Sequence, residues 1–324
     1  MTEYFELGDY CLQHGGILQD AKLAYRTYGF LNSNRDNVIL YPTWYSGFIS
    51  DNEWLIGPDK ALNLDKYFII VPCLFGNGQS TSPGNCCDSN SRDFVKISLF
   101  DNVVAQHRLL TEKWGIQCIK LVLGWSMGAQ QTYQWASLFP EMVERALPFA
   151  GSAKTSPHNF VFLEGLRNVL VLDIPREQKL RTFARIYAGW GFSQPFYKLE
   201  KWRQLGFSSL EGFLVGFWED FFLKREPENL ATLLWTWQYA DISYNKELSG
   251  DFELAMNGIA AKTNVLAPEN DLYFPKEDNE DEVKLMHDSK LVIIPGVWGH
   301  FAGGGINHED TAFIDSRIKE LLGN

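Results

Sequence analysis

Gly124-Trp125-Ser126-Met127-Gly128 sits between an apolar run, Ile119-Lys120-Leu121-Val122-Leu123, and a helical stretch from about Met127 to Phe139 that stops at Pro140. A strand that becomes a helix within five residues needs a tight turn. The residue at its apex is then held in a strained backbone conformation, and only small residues fit two positions to either side. Such a turn presents the Ser126 hydroxyl at the C-terminal edge of a sheet, where open α/β sheets bind ligands.

The rest of the chain supplies the sheet. Near-continuous apolar runs recur at Val38–Tyr41, Tyr67–Val71, Ala146–Ala150, Val265–Ala267 and Leu291–Ile294. Unbroken runs, as opposed to alternating ones, predict strands buried on both faces. Helical segments lie between them, one of them opened by Asp101 as N-cap and running to Trp114. Strands alternating with helices predict a parallel sheet with helices on both faces. The rhythm breaks between about Thr155 and Leu248, where helical patterns and large aromatics dominate; five of the eleven tryptophans fall there. The expected organisation is therefore an α/β core of residues 1–154 and 249–324, with a helical lid insertion at 155–248. Most of the lid aromatics should pack its own small core, and a few should line a pocket beneath it.

A serine hydroxyl needs a base, and the base needs an acid to fix its tautomer. Of six histidines, His300 follows the strand at Leu291–Ile294, where a last-strand loop can reach over the sheet. His308 is its only rival by proximity, but Glu309 and Asp310 beside it suggest a solvated position. Asp271 follows the strand at Val265–Ala267, with Glu269 as the alternative acid. The order Ser126, Asp271, His300 is that of the α/β-hydrolases. An oxyanion needs two backbone N–H groups. One is expected from Met127. The other is expected from the loop Pro42-Thr43-Trp44-Tyr45-Ser46-Gly47, with Tyr45 the candidate and Trp44 the runner-up. Trp44, Ser46, Trp125, Trp298 and Phe301 are the candidate substrate-binding residues. Gly76-Asn77-Gly78 with Gly84 lacks the continuation of a phosphate loop and is read as a turn.

Several stretches together resemble the homoserine O-acetyltransferase-like branch of the α/β-hydrolases. They are Tyr25-Arg26-Thr27-Tyr28-Gly29-Phe30-Leu31-Asn32, Asp65-Lys66-Tyr67-Phe68-Ile69-Ile70, Asp101-Asn102-Val103-Val104-Ala105-Gln106, Gly124 to Gln131, and the C-terminal Asp271 and Gly299-His300. The resemblance covers about residues 1–150 and 255–324. It implies an α/β-hydrolase fold with a mostly parallel, doubly wound sheet and a helical lid. It also implies Ser126, Asp271 and His300 as the triad, and a homodimer built through lid helices. Two departures bear on function. The transferases carry small residues where Trp44 and Tyr45 stand, and an aspartate, which holds the substrate's amino group, where Phe301 stands. Their lid arginine has no assigned counterpart, though Arg181, Arg185 and Arg203 are available. An ammonium in a water-poor pocket needs a carboxylate partner, so Phe301 argues against an amino-acid acceptor.

The leading expectation is a serine hydrolase that works through an acyl-enzyme on an ester-like substrate with an apolar or aromatic group. An O-acyltransferase drawing on an acyl-CoA or thioester, and a non-catalytic small-molecule receptor, are the alternatives. A net charge of −11 argues against nucleic acid and anionic lipid as partners. No apolar run approaches the roughly 18 residues of a membrane span. The opening residues lack the basic and apolar regions of a secretory signal. The five cysteines, Cys11, Cys73, Cys86, Cys87 and Cys118, read as free thiols of a reducing cytoplasm, with a vicinal Cys86–Cys87 disulfide as the alternative. Neither a metal nor a cofactor is expected.

Overall fold

The computed structural model describes residues 1–86 and 94–323. They form an eight-stranded sheet. Its strands are β1 (Glu3–Cys11), β2 (Ile17–Tyr28), β3 (Val38–Leu40), β4 (Phe68–Pro72), β5 (Leu121–Trp125), β6 (Arg145–Phe149), β7 (Lys262–Pro268) and β8 (Ser289–Ile294). Their spatial order is β1-β2-β4-β3-β5-β6-β7-β8. From β4 to β8 every pairing is parallel. Strands β3, β4 and β5 are buried along their whole length, as their unbroken apolar runs require. Side chains alternate between two cores. Ile39, Leu121, Leu123 and Phe149 face one, while Val38, Leu40, Val122 and Ala146 face the other.

The sheet is mostly parallel, as expected, with one antiparallel edge. β1 and β2 form an antiparallel hairpin, and β2 pairs antiparallel with β4. β1 and the first half of β2 are covered on one face only. Leu18 and Ala21 point inward between exposed neighbours, a pattern that a search for unbroken runs passes over.

The helices α1 (Leu99–Arg108) and α2 (Met127–Leu138) pack on the sheet. Asp101 does not cap α1 by itself. Ser98 is the N-cap, its hydroxyl accepting from the Asp101 amide while the Asp101 carboxylate accepts from the Ser98 amide. α2 ends at Phe139, ahead of Pro140. Between β6 and β7 the chain runs through α3 (Pro157–Leu170), α4 (Arg176–Gly191), α5 (Gln194–Lys198), α6 (Leu210–Phe213), α7 (Asp220–Leu223) and α8 (Pro227–Gln238). Their apolar faces continue the core that holds Leu123 and Phe149. Then follow α9 (Phe252–Asn257), α10 (Lys276–Lys284) and α11 (His308–Leu322). Among the described residues no helix is long and apolar enough to cross a membrane. Cys11, Cys73 and Cys118 are free thiols. Cys87, and with it the Cys86–Cys87 pair, lies outside the described residues.

A buried carboxyl ties α10 to the loop after β6. Glu282 accepts from the Ala153 amide (2.7 Å) and from the Asn279 carboxamide (2.8 Å), which also donates to the Gly151 carbonyl (2.9 Å). Burial pushes the Glu282 carboxyl up to about 7. The unfolded chain loses this proton near 4.5, so the folded state binds it more tightly. Its contribution to stability is complete below about pH 4.5 and is lost as the pH rises through about 7. Glu282→Gln should flatten that part of the profile. Thermal midpoints at about pH 5 and about pH 8 should lie closer together in the variant than in the wild type. An unchanged gap would remove Glu282 as the titrating group.

Candidate active site

Ser126 joins β5 to α2 with φ 60° and ψ −122°. A non-glycine residue in that region costs about 1–3 kcal/mol and persists only where its surroundings over-determine it. Here they do. The Ser126 amide donates to the Phe149 carbonyl (3.1 Å), and the Ser126 carbonyl accepts from the amides of Ala129 (2.9 Å) and Gln130 (3.1 Å). A Cβ on Gly124 would lie 2.3 Å from the Gly128 carbonyl, and one on Gly128 would lie 2.9 Å from the Pro42 carbonyl oxygen. Only hydrogen fits at either position, so the two glycines are what let β5, α2 and the loop after β3 meet.

His300 lies in a short 3-10 turn, Gly299–Gly303, after β8. Its Nδ1 is 2.7 Å from Asp271 Oδ2, and both side chains are buried. A carboxylate only accepts, so neutral His300 carries its proton on Nδ1 and keeps its lone pair on Nε2. The second Asp271 oxygen accepts from the Tyr273 (2.8 Å) and Phe274 (3.2 Å) amides, which leaves the carboxylate no freedom to turn. Glu269, the alternative acid, is ion-paired with Lys276 instead. His308 is exposed at the start of α11.

The loop after β3 is tied down except at the amides of Trp44, Tyr45 and Ser46, which have no acceptor among the described residues. Thr43 donates its amide to Pro72 (3.1 Å). Its carbonyl accepts from Gln131 Nε2 (2.9 Å), which also donates to the Met127 carbonyl (3.1 Å). Gln131 is held in turn by Gln106 (2.7 Å), and Gln106 by the Trp135 indole (2.8 Å). This chain of buried amides leads from α1 through α2 to the loop, with Gln131 gripping both. Among the described residues no oxygen takes the amides of Trp44, Tyr45 or Met127.

Ser126 and His300 open into one cavity of about 40 Å³. Trp44, Tyr45, Ser46, Trp125 and Phe301 line it. Trp298 does not; it packs against Phe192 and Phe196. The helices between β6 and β7 add Phe217, Trp218, Phe221 and Phe222, together with Tyr187, which the sequence reading missed. None of the lining residues is charged. Arg181 and Arg185 converge instead on the buried carboxylate of Glu219, at the floor of an outer cleft, and Arg203 pairs with Glu200. Among the described residues no group of three His, Cys, Asp or Glu could hold a metal ion.

Comparison with known proteins agrees with this geometry. A profile of the alpha/beta hydrolase fold matches residues 37–303. A probable esterase of Corynebacterium glutamicum is 38% identical, over 99% of this chain and 95% of its own. An ethyl acetate hydrolase of Pseudomonas veronii is 36% identical over 99% and 95%. A homoserine O-acetyltransferase of Chlorobaculum parvum is 27% identical over 90% and 87%. The crystal structure of an acetylester hydrolase from Corynebacterium glutamicum superposes with a TM-score of 0.95 at 38% identity, covering 100% of this chain and 96% of that one. The chain belongs to the alpha/beta hydrolase fold family, as a divergent member of the branch that includes homoserine O-acetyltransferases.

Proposed function

We propose that the chain is a serine esterase for short acyl esters, and above all for acetyl esters. Ser126 Oγ attacks the ester carbonyl and passes its proton to His300 Nε2. The amides of Met127 and Tyr45 hold the oxyanion. The tetrahedral intermediate collapses, the alcohol leaves with the proton from His300, and an acyl-enzyme remains. Water then attacks the acyl carbon and gives its proton to the same nitrogen; collapse releases the acid and restores Ser126. Asp271 keeps the ring oriented and stabilises the imidazolium.

The cavity carries this reading. At about 40 Å³ it is a small space walled mostly by aromatic rings. It takes an acetyl methyl and crowds longer chains. Its wall offers no carboxylate to an ammonium and no cation to a carboxylate, which supports water over an amino acid as the group that deacylates the enzyme. The relatives named for acetyl ester and ethyl acetate hydrolysis point the same way.

Ser126→Ala should lower kcat by about 10⁶-fold. Asp271→Asn should lower it by about 10⁴-fold, with Glu269→Gln near wild type; the reverse pattern would make Glu269 the acid. On a series of ethyl esters, kcat/KM should fall at least about tenfold from acetate to butyrate. A flat or rising series would remove the small acyl pocket. Acetylated homoserine, formed from acetyl-CoA and homoserine in the same tubes, would return the transferase reading.

Assembly follows from the same helical segment. Val171, Leu172, Ile186, Leu210 and Val215 are exposed on it, and they support a homodimer formed through these helices. Sedimentation velocity should give a mass near twice the 37.1 kDa chain; a monomer at every concentration would refute it.

A further inference from the structure

Arg225 lies between α7 and α8, away from the lining of the cavity that holds Ser126. Its side chain is only 10% exposed. The guanidinium is sandwiched between Phe48 and Phe221, 4.1 and 4.4 Å from their ring centroids. Its nearest carboxylate, Asp51, is a loose 3.8 Å away. Its one hydrogen bond runs from Nε to the Ser46 carbonyl (3.0 Å). A buried arginine is thus placed on a single backbone oxygen.

That oxygen begins a relay. A peptide unit is planar, with its C=O and N–H pointing in opposite directions. The Ser46 carbonyl and the Gly47 N–H belong to one such unit, and the Gly47 N–H donates to the Trp44 carbonyl (3.0 Å). The Trp44 carbonyl and the Tyr45 N–H belong to the next. Arg225 therefore stands at the head of two aligned peptides, and the Tyr45 N–H, unengaged among the described residues, stands at the tail. Ser46, between them, is held at φ 56°, a strained conformation for a residue with a side chain. Its own hydroxyl is buried without a partner, so the side chain does not offset the strain. The contacts that hold the turn are Gly47 N–H to Trp44, Asn77 Nδ2 to the Gly47 carbonyl (2.9 Å), and Arg225.

We propose that Arg225 is a positioning residue for the oxyanion site. It fixes the turn that aims the Tyr45 amide, and its positive charge polarises the two aligned peptides so that this amide donates more strongly. The charge sits on the segment over the pocket, while the amide it serves sits on the sheet-edge loop. Complete oxyanion stabilisation is therefore reached only when that segment is seated on the loop. The proposal rests on the acyl-enzyme reading above.

The test compares the full-length wild type with Arg225→Gln, Arg225→Lys and, as a control on the same helical segment, Arg203→Gln, whose guanidinium pairs with Glu200. kcat and KM are measured on an acetyl ester. Inhibition by methylboronic acid, whose serine adduct places an oxygen at the oxyanion position, is measured alongside. Deleting an oxyanion donor outright costs about 10²- to 10³-fold. Misaiming one should cost less, so Arg225→Gln should lose about 10- to 100-fold in kcat with KM within about twofold, and weaken the boronate in parallel. Arg225→Lys keeps the charge and a donor and should recover part of both. Arg203→Gln should match the wild type. Unchanged kcat and boronate affinity in Arg225→Gln, or a loss confined to KM, would overturn the proposal. If the Gln variant fails to fold, the Lys variant decides by the same split between kcat and KM. A wild type that neither hydrolyses acetyl esters nor reacts with a fluorophosphonate at Ser126 would instead bring down the reading beneath it.

Discussion

The backbone of Ser126 is the constraint on which the remaining geometry depends. With φ at 60° and ψ at −122°, the chain leaves β5 and enters α2 without an intervening loop. That leaves the Met127 amide free at the head of the helix, beside the hydroxyl of the preceding residue. Strain of about 1–3 kcal/mol survives because α2 cannot move to relieve it. Residues Met127 to Ala136 are buried without a break, so the helix is enclosed by β5, β6 and α1 instead of lying on a surface. The missing Cβ atoms of Gly124 and Gly128 then let the Pro42–Gly47 loop close over the turn. In the proposed mechanism the nucleophile and its two oxyanion donors come together because three backbones do.

What the sequence made legible follows the same logic. The turn is a property of five consecutive residues, so its motif could be read directly. Strands buried on both faces announce themselves as apolar runs, and all six of those runs lie on strands of the sheet. The hairpin β1–β2 was missed because covering one face alone produces a weaker alternation. Asp101 was placed as a cap when it is the reciprocal partner of Ser98, three residues earlier, because either residue type suits an N-cap. Pocket walls were harder still. Tyr187 lines the cavity and Trp298 does not. Whether an aromatic faces a cavity or a neighbouring ring is decided by how helices pack, and composition carries no record of that.

Charge placement separates this pocket from one built for an amino acid. Glu219 is almost fully buried, yet Arg181 and Arg185 both reach it from α4. Isolating such a carboxylate would cost several kcal/mol, so these arginines are committed to the outer face of the helical segment. The inner face is left to rings. Phe221 stacks on Trp44, Trp44 lies against Trp125, and Trp125 stacks on His300, while Phe301 stacks on Phe192. A low-dielectric wall of this kind strengthens the few dipoles that point into it. It also makes any unpaired charge in a substrate costly.

The column of rings ends beside a cation, because Arg225 lies over Phe221, 4.4 Å from its centroid. Phe221 is therefore shared between the pocket wall and the guanidinium sandwich. Movement of α7 that widens the pocket for a bulkier ester must also disturb the contact that holds the Ser46 carbonyl. In this arrangement substrate size and oxyanion geometry are coupled through one side chain. A short acyl group that leaves Phe221 in place keeps the Tyr45 amide aimed. On the proposed mechanism, a longer one would displace the ring and lose transition-state stabilisation along with fit. Selectivity for small acyl groups would then appear in kcat as well as in KM, which a rigid pocket that merely excluded larger substrates would not produce.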